Sequence, residues 1–232
     1  MACDSGDRGD NRDGAGQPEP HGRRKWPGGA WAERWLEVPA RRSMVEERRP
    51  TAGARTSSGG QVETWDAIRA RRNVRAYEDR PIARTDLERI LEAGRRSPSA
   101  ANRQPWDFVV VTDRGQLQEL SKVWQHGRHV ASSAATVGLV APIPAEGRDR
   151  DGTQYDLGQA TMSMMLAAAD LGIGSGHSAV ADQELARKVL GLPDDRFCAY
   201  LVAFGYPADR PLAPIMRPNR RPFDDVVHWD NW

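Results

Sequence analysis

Apolar positions are scarce in the first 60 residues, where Met1, Leu36, Val38, Met44 and Val45 are the whole Val/Ile/Leu/Met/Phe set. From Gln61 onward they recur at regular spacings. Trp65 and Ile68 space a short helix ending near Arg72. Thr85-Asp86-Leu87-Glu88 has the form of a capping box, and Leu87, Ile90 and Leu91 give the next helix one apolar face as far as Gly94. Asp107 to Thr112 is a β-branched run of strand length. A helix from about Gly115 carries Leu117, Leu120 and Trp124, and Thr136 to Val140 reads as a second strand. Pro142 to Thr153 reads as a charged loop, Gln154 to Leu171 as a helix apolar nearly all round, and Asp182 as the cap of another helix. Phe197 to Phe204 makes a third strand. Interleaved periods of 3.6 and 2 predict an α+β fold, a mainly antiparallel sheet packed by helices.

A helix without a polar stripe must be covered on every side. Met162, Met164, Met165 and Leu166 put the helix at 154–171 in that class. Covering it with the same helix of a second copy predicts a homodimer, the commonest closed assembly. The alternative is the central core helix of a monomer.

Composition divides the chain. Ten of the 22 glycines fall in the first 60 residues, among charges of both signs. Such a segment buries too little apolar surface to offset the entropy of ordering it, so residues 1–60 are expected to be a disordered extension and 61–232 the folded domain. Trp31 and Trp35, four apart, would share a helix face, and Met44 is an alternative start. Lys plus Arg number 33 against 32 Asp plus Glu, a net charge of +1, which gives no electrostatic case for nucleic acid or an anionic membrane. Two cysteines without a CxxC argue against a disulfide framework or a zinc site and fit a reducing compartment, so the cytoplasm is the expected location. No apolar run reaches membrane-spanning length, and the N-terminus lacks the apolar segment of a signal peptide.

Four polar clusters have the chemistry of a site. Arg71-Arg72-Asn73-Val74-Arg75 puts three guanidiniums, planar forks matched to phosphate, where the chain leaves a helix. Read alone, it equally fits a solvated basic turn. Ser97 to Trp106 (SPSAANRQPW) combines small residues, two stiffening prolines and the amides of Asn102 and Gln104; it is equally an ordinary helix-to-strand connection. Gly172 to Ser178 (GIGSGHS) is a glycine-rich exit from the buried helix, without the order of a dinucleotide-binding loop, and His177 there is equally a structural histidine. Arg217 to Pro222 (RPNRRP) is a basic turn or a solvated tail.

Taken in order, the four resemble the nitroreductase family of flavin-dependent oxidoreductases over residues 63–232. Arg71 to Arg75 is similar to that family's opening Arg-Arg-Ser-x-Arg, with Asn73 for the serine. Residues 97–106 followed by Phe108-Val109-Val110 are the most specific match, and the Gly172–Ser178 exit and Arg220-Arg221-Pro222 complete it. The resemblance implies an α+β sandwich and a homodimer with one FMN at each end of the interface. It implies that Arg71, Asn73 and Arg220 hold the phosphate and ribityl chain, with Arg72 and Arg221 beside them. Arg75 would lie by the N1/C2 oxygen side of the flavin, favouring the reduced anion. Pro98, Ser99 and Asn102 would reach over from the other subunit, and His177, Ser178 and Ala179 would line the ring edge. Pro142–Thr153 or Gln125–Val130 would cover the substrate side. The implied reaction is ping-pong: hydride from NADH or NADPH to the flavin, then electrons to a nitroaromatic, quinone or similar acceptor. No side-chain nucleophile is needed, in line with the absence of a Ser/His/Asp or Cys/His arrangement. The same resemblance takes in branches that fragment reduced flavin to dimethylbenzimidazole or dehalogenate iodotyrosines. A different class would be a non-catalytic flavin-binding protein for storage or sensing.

Overall fold

A computed structural model describes residues 63–232; the expected disordered extension, with Trp31 and Trp35, lies outside them. The elements run α1 (Thr64–Ala70), α2 (Arg84–Arg95), a 3-10 turn (Ala100–Asn102), β1 (Asp107–Val111), α3 (Arg114–Leu120), a second 3-10 turn (Ser121–Val123) and α4 (Arg128–Ala131). They continue with β2 (Ala135–Pro142), α5 (Arg148–Asp170), β3 (Gly174–Ala179), α6 (Gln183–Leu190), β4 (Arg196–Gly205) and a 3-10 turn at Phe223–Asp225. The four strands form one antiparallel sheet in the order β1-β2-β4-β3. The α+β reading holds.

β2 and β4 lie in the middle of this sheet, which explains their near-continuous apolar sequence: both faces are covered. On one face Val137, Leu139 and Phe204 pack against Ile90 of α2 and Met164 of α5. On the other, Val111 and Leu201 pack against Leu117 and Leu120 of α3 and Ala186 of α6. Each fully buried Leu or Phe contributes about 1.5–3 kcal/mol relative to exposure. Cys198 belongs to the second layer as a buried free thiol, its pKa pushed up to about 12 by burial.

Three local expectations need correction. The capping box at Thr85 does not form: α2 starts at Arg84 after Ala83, without a side-chain cap, and Glu88 accepts from Arg84 Nε at 2.8 Å instead. The loop expected at 142–153 is half helix, because α5 begins at Arg148 after Gly147 (φ 69°), with Asp149 and Asp151 at the positive end of the helix dipole. The glycine-rich exit 172–178 is largely a strand. Its lack of β-branched residues hid β3, which pairing with β4 and close approach of another segment create.

The cap at Asp182 does form, its Oδ1 accepting from Leu185 N–H at 2.9 Å, and Asp113 does the same for Gln116 at 2.8 Å. Asp182→Ala is expected to cost about 1 kcal/mol. Thermal unfolding checks this, and an unchanged Tm shows that the carboxylate is not holding α6.

Candidate functional site

After α1 the chain runs as an irregular segment from Arg71 to Glu78 that is clamped on both sides. Val74 N–H donates to Ser175 O of β3 at 2.9 Å, and Asn73 bridges Ser175 in parallel. On the other side Ala208 N–H donates to Ala76 O at 3.0 Å, and Glu78 N–H donates to Tyr206 O at 2.9 Å. Glycines admit this crossing. A Cβ on Gly176 would stand 2.5 Å from Val74 O, and one on Gly174 would stand 2.6 Å from Val74 Cγ2. Tyr77 is buried behind, its hydroxyl donating to Val74 O at 2.8 Å, and burial raises its pKa.

The three arginines of the segment have different duties. Arg72 is engaged: its Nη2 donates to Asp209 Oδ1 at 2.7 Å and to Arg210 O at 2.8 Å, and this pairing holds the exposed Asp209 carboxyl below the usual range. Arg71 is half-buried and Arg75 exposed, and neither guanidinium has a hydrogen bond or ion pair among the described residues. Among the described residues the fold therefore leaves two guanidiniums of the segment that crosses β3 without side-chain partners.

β3 is an edge strand. Ser175 turns its carbonyl away from β4 toward Val74, so the two-residue alternation turns the N–H and C=O of His177 and Ala179 to the same open edge. Ser178 points inward: it is fully buried, with Oγ bonded to Ala179 O at 3.1 Å. The structure thus brings Arg71, Asn73, Arg75 and the His177–Ala179 backbone to one edge. The C-terminal tail approaches as well, since Ile215 N–H donates to Arg69 O at 3.0 Å. Arg220 follows five residues later, its Nη1 donating to Asn219 O at 2.7 Å and its backbone N–H to Pro218 O at 3.0 Å, and Arg221 Nη2 donates to Asp225 O at 2.5 Å.

Pro98, Ser99 and Asn102 lie elsewhere in the chain. Their loop precedes β1, the opposite edge of the sheet, about 14 Å away across three strand spacings. Ala100 N–H donates to Asp156 of α5, 3.1 Å from Oδ2, and Gln104 N–H donates to Ser99 Oγ at 2.8 Å. Among the described residues none of this loop's hydrogen bonds reaches the Arg71–Arg75 segment. Of the two covering stretches, Gln125–Val130 is the one beside β3, because Val123 O just ahead of it accepts from Ala181 and Asp182 N–H at 3.0 Å each. Trp124, Gln125 and Asp182 line a cleft of about 620 Å³ there. Pro142–Thr153 instead joins the Ser97–Trp106 loop through Asp149 and Arg103, at 3.0 Å.

His129 escaped sequence reasoning. It lies on α4, 4 % exposed, and its Cδ2 is 3.3 Å from the point a Gly176 Cβ would occupy. Burial first, then the Arg75 cation, lowers its pKa. It stands in no motif, so only the tertiary structure reveals it.

The arrangement is thus a sheet edge beside a clamped segment whose Arg71 and Arg75 guanidiniums have no partner among the described residues. The family model for the nitroreductase family matches residues 68–126 and 133–206. A protein of Archaeoglobus fulgidus described as an NADH dehydrogenase/NAD(P)H nitroreductase is 34% identical over 174 residues, covering 73% of this chain and 99% of that one. Among solved structures, an FMN-dependent nitroreductase from Clostridium difficile has a TM-score of 0.63 at 22% identity, over 72% of this chain and 98% of that one. The NADPH:FMN oxidoreductase of Vibrio harveyi, in complex with NAD+, has a TM-score of 0.64 at 23% identity, over 72% of this chain and 76% of that one. The chain belongs to the nitroreductase family and is an oxidoreductase of that family. No helix among the described residues is long and apolar enough to cross a membrane.

Proposed function

We propose that the chain is an NAD(P)H-dependent flavin oxidoreductase that works as a homodimer, with FMN held at the subunit interface and an electron-poor acceptor such as a nitroaromatic or quinone. The observation that carries this reading is the pair of guanidiniums of Arg71 and Arg75, without partners among the described residues, on the segment that crosses the edge strand β3. The donor set fits the group. Guanidiniums match a phosphate at Arg71 and an electron-rich ring edge at Arg75, and the N–H and C=O of His177 and Ala179 match the imide edge of a flavin. Arg220 and Arg221, on the tail tethered at Arg69, are the further candidates for the phosphate end.

When bound, FMN supplies the two-electron transfer between NAD(P)H and the acceptor. The chain's own part is positional. The clamp on 71–78 fixes where Arg71 and Arg75 project, and Arg72 holds that clamp through Asp209 rather than meeting the ligand. Arg75 supplies a fixed positive charge where electron density collects. Gln125–Val130 bounds the space next to β3, so that donor and acceptor use one site in turn.

The homodimer is supported by two observations. The Ser97–Trp106 loop and the Arg71–Arg75 segment occupy opposite edges of one sheet, so a second copy is needed to bring them to one ligand. Along α5, Asp151, Tyr155, Gly158 and Met162 form an exposed stripe, with Tyr155 71% and Met162 44% exposed. Trp65 and Ile68 of α1, which packs on α5, are exposed too. That is more uncovered apolar surface than a monomer gains from.

The purified chain is expected to be yellow, to elute as a dimer, to release FMN on denaturation, and to oxidise NADH or NADPH with turnover only when an acceptor is supplied. A colourless monomer that takes up no FMN overturns the proposal. Stoichiometric reduction without turnover points to a binding protein.

A further inference from the structure

Three of the four non-glycine residues with positive φ among the described residues, Ala101, Asn102 and Gln104, fall in the turn ahead of β1. Residues 100–104 are exposed, so core packing does not force this backbone on them. Strain of this kind persists only where the surroundings over-determine it, and it gathers where a chain meets a ligand or partner. Here the surroundings are one face of α5.

Asp149, Asp156 and Ser163 recur at seven-residue intervals along that helix, nearly two turns apart, and so share a face. Each meets the loop three residues from the next contact. Asp149 Oδ1 accepts from Arg103 Nη1 at 3.0 Å, and Asp156 accepts from Ala100 N–H, with its two oxygens at 3.1 and 3.3 Å. Ser163 Oγ accepts from the Ser97 hydroxyl at 2.8 Å. The middle contact is the buried one: Asp156 is 2 % exposed, whereas the Arg103–Asp149 pair is at the surface. Ala100 opens the 3-10 turn, and Ser99 in the capping position gives that turn no side-chain cap, its Oγ accepting from Gln104 N–H instead. The α5 carboxylate therefore stands in for the missing cap, and its charge strengthens the bond. Gln159 Nε2, at 3.5 Å, is a weaker second donor to it.

What this anchored turn displays has no use within its own subunit. Pro98 and Asn102 are exposed, and the Asn102 side-chain amide makes no hydrogen bond among the described residues. We propose that Asp156 is a positioning residue for the cofactor site of the other subunit, fixing the turn through which Pro98, Ser99 and Asn102 reach FMN held at the second copy's Arg71–Arg75 segment. The inference rests on the cofactor and homodimer reading given above. Asp156 never touches the ligand; it acts through Ala100. Asp149 and Ser163 keep the two ends of the loop in register on α5, and Asp156 sets its tip.

Two hybrid dimers test this without turnover. Differently tagged full-length chains are co-expressed, the hybrids are isolated and freed of flavin, and FMN is titrated by fluorescence. In the first hybrid one copy carries Arg71→Ala and the other Asp156→Ala. Both lesions then fall in one site, and the dimer is expected to bind one FMN with wild-type affinity. In the second, one copy carries both changes and its partner neither. Each site then has one lesion and neither keeps wild-type affinity, the Asp156→Ala lesion weakening its site by about tenfold, the upper range for one neutral hydrogen bond. Asp156→Asn keeps the shape and one carbonyl acceptor without the charge; as a homodimer it should bind FMN with an affinity between those of Asp156→Ala and the wild type. It replaces Asp156→Ala in the hybrids if the alanine chain does not fold. The reverse pattern, a tight site in the second hybrid and none in the first, assigns Asp156 to its own copy's site and overturns the proposal. Weakening at both sites of both hybrids, the mark of a merely structural role, overturns it too, as does wild-type affinity in the Asp156→Ala homodimer. These outcomes leave the cofactor reading standing. A wild-type chain that binds no FMN, or that stays monomeric, overturns that reading and this inference together.

Discussion

Arg71→Ala is expected to weaken FMN binding by about 10- to 150-fold, the span that corresponds to losing a hydrogen-bonded contact to a charged group worth about 1.5–3 kcal/mol. The size follows from what the guanidinium does in the folded chain. It is half-buried and makes no internal ion pair or hydrogen bond among the described residues, so removing it leaves no protein group stranded. Stability should therefore change little while affinity collapses, a separation that fluorescence titration of FMN and a thermal melt measure side by side. Arg71→Lys should recover part of the loss, since an ammonium keeps the charge without the planar fork. Arg72→Ala is the contrasting case: its guanidinium is tied to Asp209 and Arg210, so its loss should loosen the clamp as well as the ligand. An Arg71→Ala chain that binds FMN as tightly as the wild type removes that guanidinium from the phosphate site.

Gly176→Ala is expected to be among the most damaging single methyl groups, and the one that strikes the candidate site. Its Cβ would stand 2.5 Å from the Val74 carbonyl oxygen, and backbone cannot swing aside as a long side chain can. Either β3 leaves β4, or the 71–78 segment lifts away from β3 and takes Asn73 and Arg75 with it. Overpacking of this kind costs about 1–3 kcal/mol, a fall of roughly 2–10 °C in Tm for a domain of this size. FMN affinity should drop further than stability alone accounts for. Gly152→Ala is the control: it lies inside α5, its nearest neighbour is Arg103 Nη2 at an ordinary 3.7 Å, and replacing a helical glycine by alanine should stabilise by about 0.5–1 kcal/mol. If Gly176→Ala melts and binds like the wild type, the close crossing at Val74 is not what shapes the site.

The sequence exposed those parts of the molecule whose cause is local. Alternating apolar runs at 107–111 and 197–204 became β1 and most of β4, and the acidic cap of α6 lies where the side-chain chemistry puts it. β3 was hidden because glycine and serine have no strand preference; pairing with β4 and the demands of the Val74 crossing override propensity there. The first six residues of α5 were hidden by charge and by Gly152, read as loop signals although the first turn of a helix welcomes acids. At the site, spacing and order located the arginines and set Arg72 beside Arg71 at the phosphate end, without showing what Arg72 is bonded to. Only coordinates separate Arg72, consumed by Asp209, from Arg71 and Arg75. His129 was invisible because a lone histidine in a polar stretch has no pattern, and its significance comes from Gly176, 47 positions away in the chain.

The turn ahead of β1 carries Ala101, Asn102 and Gln104 at φ of 51°, 55° and 51°, backbone that non-glycine residues adopt at a cost of about 1–3 kcal/mol each. It is wound against two anchors, the buried Asp156 carboxylate and the Ser99 hydroxyl. In the homodimer proposed above, this turn would be a sprung latch that each subunit uses on its neighbour. Under that proposal, loss of the Asp156 carboxylate in α5 of one copy would disable the pocket of the other, and a dimer with a single faulty member would fail on the healthy side.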